Sequence, residues 1–304
     1  MSYPRSSGDI IADRRFAYAM SYKAEGDLQA AAELVEQALA SVPGWATGWF
    51  ALGDLLESAG RREAAIAAYR RCLDIDAVDE AGAGARLARL GAIEADGAMA
   101  PAHVAALFDD YADRFEASLV NGLGYRGPAL LLAALEPLRK PFRFGHALDL
   151  GCGTGLAGEA FRASCASIEG VDLSAAMLSL ARRKGLYDRL EQGDVATFLE
   201  GRPAQSADLL LAADVFVYLG NLEAIFRQAA RVLAPGGLFA FSAQRWDGPE
   251  AFILNHDMRY AHSHAAIAAW AGAAGLAIAC RNDEWARRDR GQPVPGMVAV
   301  LERS

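Results

Sequence analysis

Two rhythms run along the chain. Up to about residue 95, apolar residues recur at three-to-four spacing in alanine-rich segments, which predicts amphipathic helices. "VAALFDDYADRFEASLVNGLGYRGPALLLAALEPL" keeps that spacing and predicts two or three more helices. From His146 onward, short apolar runs alternate with helical segments. "HALDLG", "SIEGVD", "RLEQGD", "ADLLLAADVFVY" and "GGLFAFSAQ" read as strands, with helices near 155–166, 174–185 and 219–233. That alternation predicts a parallel sheet with crossover helices. "LAIACRND" and "PGMVAVLER" follow each other without a helix and predict an antiparallel hairpin closing one sheet edge. The small, proline-marked stretch "ADGAMAPAH" places a boundary near residue 95. The predicted organisation is a helical domain over 1–95, a helical linker or lid over 96–145, and an α/β domain over 146–304.

The helical part repeats. A shift of 34 residues (16 to 50) lays Phe16 on Phe50, Ala17 on Ala51, Gly26 on Gly60, Ala31 on Ala65 and Leu39 on Leu73. Gly26-Asp27 and Gly60-Arg61 would each turn one helix into the next. The period and grammar resemble tetratricopeptide (TPR) repeats, most closely in "GWFALGDLLESAGRREAAIAAYRRCLDID". A third, incomplete unit begins near Asp79, with "GARLARLGAIEA" as a helix. Such repeats bury their apolar stripe only against neighbours. Two roles stay open for them: a concave surface for a protein partner, or a packing and self-association module.

Composition narrows the class. The 304 residues are 53% apolar and 22% charged, as in an ordinary soluble globular protein. A net charge of −8 disfavours nucleic acid, whose backbone calls for a basic surface. No apolar run approaches the roughly 18 residues of a membrane span. The N-terminus carries no signal-like apolar core, and the four scattered cysteines form no C-x-x-C pair or metal-ligand cluster. The expectation is a reduced, cytoplasmic protein with no metal site.

The chemistry concentrates in "HALDLGCGTGLAGEAF", residues 146–161. Gly153-x-Gly155-x-x-Gly158 is a bare dinucleotide fingerprint, and alone it is weak. Asp172, about 20 residues on, suits the ribose hydroxyls of any adenosine-type ligand. Asp149 discriminates. Beside a pyrophosphate it would set negative charge against negative, at a helix end that attracts anions. S-adenosylmethionine has no phosphate and carries an ammonium and a sulfonium, which an acid favours. Asp194, after the third strand, can accept from an adenine amino group. "RVLAPGGLFAFSA" adds a helix, a Pro-Gly-Gly turn and a strand.

These elements resemble the class I S-adenosylmethionine-dependent methyltransferases: D-L-G-C-G-T-G (149–155), V-D-L-S (171–174), G-D-V (193–195), A-D-V (213–215) and L-A-P-G-G-L (233–238), in order. "FDDYADRFEASLVNGLGYRGPALL" and "RYAHS" further resemble a bacterial group of predicted methyltransferases with N-terminal TPR repeats. The resemblance implies a Rossmann-like α/β methyltransferase domain, with a seven-stranded mostly parallel sheet and the C-terminal hairpin, preceded by an all-α TPR domain. It implies S-adenosyl-L-methionine as cofactor and S-adenosyl-L-homocysteine as product.

By that resemblance, Gly151, Gly153 and Gly155 shape the methionine end of the pocket, with Asp149 at the ammonium. Asp172 takes the ribose, Leu173 and Met177 flank the adenosine, and Asp194 and Val195 contact the adenine. Tyr111, on a stripe with Phe108 and Phe115, and Arg126 are expected at the methionine carboxylate; core packing is the plain alternative for the first and a surface position for the second. Asp214 is expected at the cofactor, and Phe216, Tyr218 and Tyr260 at the substrate. His262 is the candidate base or acceptor-orienting group, in a segment expected to be a substrate loop, and Ser263 a helix cap. The leading reading is methyl transfer to a small molecule. The alternatives are a protein methyltransferase recruiting its target through the repeats, a non-catalytic nucleotide-binding adaptor, and a nicotinamide-dependent oxidoreductase.

Overall fold

The computed structural model describes residues 6–116, 124–289 and 291–304. The chain divides into two compact units, Met1–His103 and Val104–Ser304. No described helix is long and apolar enough to cross a membrane.

The first unit holds α1 (Ile10–Glu25), α2 (Leu28–Ser41), α3 (Ala46–Ser58), α4 (Arg62–Ile75) and α5 (Ala83–Arg89). α1 packs on α2, and α3 on α4. Gly26, at φ 88°, ends α1 in the left-handed conformation, and the Asp27 side chain caps α2 by accepting from the Ala30 amide at 3.0 Å. A Cβ at Gly53 would lie 2.5 Å from the Tyr69 ring, so only glycine lets α3 and α4 close on that aromatic. The third unit is shorter than its apolar pattern predicts. α5 begins where Asp79 accepts from the amides of Ala83 (2.6 Å) and Gly84 (2.8 Å), and it stops at Arg89, ahead of Gly91 at φ 67°.

α6 (Pro101–Glu116) and α7 (Gly127–Leu135) precede the sheet. Its strands are β1 (Phe144–Leu150), β2 (Cys165–Asp172), β3 (Arg189–Gln192), β4 (Ala207–Ala212), β5 (Leu233–Trp246), β6 (Phe252–Leu254), β7 (Tyr260–Ser263), β8 (Leu276–Asp283) and β11 (Gly296–Arg303). The main path runs β3-β2-β1-β4-β5-β11-β8. β1 to β5 pair in parallel, and β11 pairs antiparallel with both β5 and β8, which is the predicted hairpin. β6 and β7 add a small ribbon, with β7 parallel to β5. A separate two-stranded piece joins β9 (Arg288–Asp289) to β10 (Gln292–Pro293).

Crossover helices α8 (Leu156–Phe161), α9 (Ala175–Lys184), α10 (Val195–Glu200), α11 (Glu223–Val232) and α12 (His264–Ala273) complete the unit. β1 is buried on both faces: Leu148 and Leu150 join one core, Phe144 and Ala147 the other. Two-sided burial is the mark of a covered parallel sheet. Three differences from the sequence pattern matter. β4 stops at Ala212, because Asp214 turns the chain at φ 61° and Phe216–Tyr218 form a 3-10 turn. The Pro-Gly-Gly turn is absorbed into β5, where the register against β4 jumps from Leu233 to Leu238. The segment expected as a substrate loop contains β7.

Candidate functional site

β2 and β4 flank β1 on opposite sides, so the winding of the sheet reverses between β1 and β4. Open α/β sheets bind ligands outside the strand carboxyl ends at such a point. Four acids gather there: Asp149 near the end of β1, Asp172 ending β2, Asp194 just past β3 and Asp214 just past β4.

The turn after β1 is built from left-handed backbone. Gly151, Gly153 and Gly155 have φ of 69°, 54° and 92°, a region open to glycine without strain. A Cβ at Gly151 would lie 2.5 Å from a Val215 methyl, so this turn packs directly on the loop after β4. Above Gly153 the space is open: a Cβ there would meet no atom within 4 Å. The Gly153 amide donates to Asp172 Oδ2 at 2.8 Å, and the Ser174 amide to Asp172 Oδ1 at 2.9 Å. These two amides use half of the roughly four acceptor sites of the carboxylate and leave the rest for a ligand. Burial nevertheless keeps the Asp172 pKa above the ordinary carboxylate range, outweighing both amides.

Asp149 is 1% exposed. Burial pushes its pKa up to about 7, and the Asp172 charge adds to the rise, against the lowering effect of a hydrogen bond from Tyr187. The Tyr187 hydroxyl donates to Asp149 Oδ2 at 2.6 Å and accepts from the Gly158 amide at 3.1 Å. A Cβ at Gly158 would be 2.6 Å from that ring. The third glycine of the apparent dinucleotide fingerprint is thus explained by a tyrosine. Asp194 caps α10, accepting from the amides of Ala196 (2.8 Å) and Thr197 (3.2 Å) through one oxygen. Met177 and Val195 are buried, and Leu173 is half-buried.

α6 is tied to this site. Asp109 accepts from the Ser174 hydroxyl at 2.5 Å and from the Ala176 amide at 3.1 Å, so an acid of α6 caps α9 jointly with Ser174. Phe108 meets the Tyr218 ring edge-on at 5.4 Å, and Tyr111 meets Phe115 at 6.1 Å. Beyond β4, the Asp214 amide donates to the Ser242 hydroxyl oxygen at 2.9 Å, and the Arg259 guanidinium lies over the Tyr218 ring at 5.4 Å.

Four expectations are corrected. His262 is wholly buried, and its Nε2 lies 3.0 Å from the Leu219 carbonyl and 2.9 Å from that of Gly220. That nitrogen carries the proton and donates to both. Burial lowers the pKa of the ring to about 4, so the side chain is a neutral strut and not an available base. Phe216 is buried among Phe226, Phe239 and Phe241 with centroids 5.1–6.1 Å away. Tyr260 is buried against Phe252 at 5.9 Å. Both belong to the core. Arg126 pairs with Glu284 at 3.0 Å and stacks over Trp285 at 4.3 Å, which commits its guanidinium away from a cofactor carboxylate.

The sequence reading missed Tyr187 and Asp109, because the signal for each is a contact 38 or 65 residues away. The donor set suits S-adenosylmethionine. Among the described residues, no Lys or Arg pairs with Asp149, Asp172 or Asp194. A carboxylate floor without cations accepts an ammonium and ribose hydroxyls, and would repel a pyrophosphate.

Comparison with known proteins agrees with this geometry. Residues 148–241 match the family model described as "Methyltransferase domain", and residues 46–79 match that described as "Tetratricopeptide repeat". The chain is 35% identical over 162 residues to a trans-aconitate 2-methyltransferase of Paracidovorax citrulli, covering 51% of this chain and 56% of that protein. It is 34% identical over 141 residues to a malonyl-[acyl-carrier protein] O-methyltransferase of Enterobacter lignolyticus, covering 46% and 52%. The chain thus spans about half the length of these curated relatives. In fold, it is similar to a chain of the complex between the Haloferax volcanii Trm112 methyltransferase activator and a methyltransferase, with TM-score 0.52 and 20% identity over 64% of this chain and 96% of that one. Residues 148–241 thus match a methyltransferase domain, and residues 46–79 a tetratricopeptide repeat.

Proposed function

We propose that the protein is an S-adenosylmethionine-dependent methyltransferase acting on a small-molecule acceptor. One observation carries this reading: three carboxylates without cationic partners surround a left-handed glycine turn at the reversal of the sheet. Bound there, S-adenosylmethionine supplies a methyl group on a positive sulfur, open to in-line displacement by an acceptor.

The chain's own residues do the holding. Asp149, steadied by Tyr187, takes the ammonium. Asp172, oriented by the amides of Gly153 and Ser174, takes the ribose hydroxyls. Asp194 keeps one oxygen for the adenine amino group, and Leu173, Met177 and Val195 wall the adenine. Gly151, Gly153 and Gly155 let the backbone approach, and α6 covers the site with Phe108 and Tyr111. Asp214 and Tyr218 stand after β4, next to the turn. Holding the acceptor in line supplies much of the catalysis, and no dedicated base is required where the acceptor carries no proton to lose.

The curated relatives act, by name, on trans-aconitate and on malonyl-[acyl-carrier protein], which supports a low-molecular-weight or carrier-borne acceptor. The tetratricopeptide repeat supports a protein partner or self-association through the first unit. Calorimetric titration with S-adenosylhomocysteine and with NAD tests the proposal, and binding of NAD alone would end it.

A further inference from the structure

Cofactor binding leaves unexplained two arginines grouped around Asp214. Arg259 precedes β7, and Arg287 lies between β8 and β9. The Arg259 side chain makes no hydrogen bond among the described residues. Its nearest acid is Asp214, with Nη1 to Oδ2 at 3.6 Å, and that Nη1 is shielded from solvent without a partner. Arg287 is 5% exposed. It makes a single side-chain bond, from Nη2 to Asp257 Oδ2 at 3.0 Å, and its Nε is buried without a partner. Gln244 donates to the same Asp257 oxygen at 3.2 Å. Arg287 lines a narrow cleft together with Asp214, Ser242 and Gln244.

This cleft adjoins the methyl-transfer region. Asp214 lines the cleft and directly precedes Val215, which packs on Gly151 of the glycine turn, and the guanidinium of Arg259, whose nearest acid is that same Asp214, lies over the Tyr218 ring.

A buried guanidinium with unspent N–H groups is costly unless something completes it. Asp214 and Asp257 balance the two charges, and the remaining donors want an acceptor. The planar fork of arginine matches a carboxylate bidentately better than any other small group. We infer that Arg259 and Arg287 form the acceptor subsite, and that the acceptor is a small carboxylic acid, methylated at or next to a carboxylate held by them. The inference rests on the methyltransferase reading above. For transfer to oxygen, a carboxylate lone pair forms the new O–C bond as the C–S bond breaks, and the bond pair stays on sulfur. The products are a methyl ester and S-adenosylhomocysteine. The carboxylate is already ionised, so no proton leaves and no base is needed, in keeping with the occupied His262.

The test uses the full-length protein with S-adenosylhomocysteine bound, titrated calorimetrically with three- to six-carbon mono-, di- and tricarboxylates and with the matching amides. Turnover with S-adenosylmethionine is read in parallel as S-adenosylhomocysteine formed. The expected result is binding and methylation of at least one carboxylate and of no amide. Arg259→Gln and Arg287→Gln should each weaken that carboxylate on the order of 10–100-fold, the worth of a charged hydrogen bond. Arg287→Lys should fall between. Unchanged affinity for S-adenosylhomocysteine in each variant shows that the fold survives. With that affinity intact, equal use of amides, binding of no carboxylate, or indifference to both substitutions overturns the arginine subsite alone. Loss of S-adenosylhomocysteine binding in the unsubstituted protein overturns the methyltransferase reading with it.

Discussion

The Tyr187 hydroxyl donates to Asp149 Oδ2 at 2.6 Å, and the same ring fills the space where Gly158 has no side chain. The pair couples the proton on Asp149 to the shape of the pocket floor. With its pKa raised to about 7, Asp149 in the folded protein holds a proton below neutrality. An ammonium prefers the ionised form. Affinity for S-adenosylhomocysteine should therefore rise as pH increases through 7 and level off above it, by at most about tenfold per pH unit. Asp149→Asn should flatten the profile. Tyr187→Phe removes a bond that favours the charged form, so the inflection should move to higher pH. Calorimetry between acidic and mildly alkaline pH measures this; a flat profile in the unsubstituted protein would contradict it.

Gly158→Ala should destabilise the protein by about 1–3 kcal/mol, as an overpacked site does, because the new methyl would sit 2.6 Å from the Tyr187 ring. It should also weaken S-adenosylhomocysteine. In a Tyr187→Ala background the same substitution should cost much less. Urea unfolding of the four proteins gives the coupling, and additive costs would show that the ring is not what Gly158 accommodates.

Asp172→Ala should weaken S-adenosylhomocysteine on the order of 100-fold, by removing a charged acceptor and releasing the Gly153 and Ser174 amides it orders. Asp172→Asn should cost less, since one oxygen remains an acceptor. Full affinity in Asp172→Ala would refute the ribose assignment.

His262→Ala should lower stability by about 2–3 kcal/mol, through two buried carbonyls left without a donor. Turnover per folded molecule should keep its pH profile. The stability should also carry a sign. Because the folded ring titrates near 4, below its ordinary value of 6.5, the unfolded chain binds more protons between those limits. The His262 contribution is therefore complete above pH 6.5 and is lost as pH falls toward 4. Urea unfolding of the unsubstituted protein and the variant at neutral and acidic pH measures the difference. A selective loss of turnover in a stable variant would restore His262 as a catalytic group.

The strands were legible because a parallel sheet buried on both faces leaves near-continuous apolar runs, as in Leu209–Ala212 of "ADLLLAADVFVY". The cofactor floor was legible because its residues follow strand ends, where Asp149, Asp172 and Asp194 mark themselves by charge against apolar neighbours. What failed is non-local. "RYAHS" looks polar, yet its histidine Nε2 is engaged by carbonyls 42 and 43 residues away and its tyrosine is held by aromatic packing. β7 is only four residues long, too short for a two-residue period to register. Arg126 meets Glu284 158 residues later, a pairing no local pattern announces. The apolar run past Ala212 read as strand, but the backbone of Asp214 at φ 61° breaks it.

The central claim is that the acids after β1, β2 and β3 serve a positively charged, phosphate-free nucleoside. Titration of the full-length protein with S-adenosylhomocysteine and with NAD tests it most directly. The account predicts micromolar binding of S-adenosylhomocysteine, weakened by Asp172→Ala, and no binding of NAD. Micromolar binding of NAD with none of S-adenosylhomocysteine would contradict it.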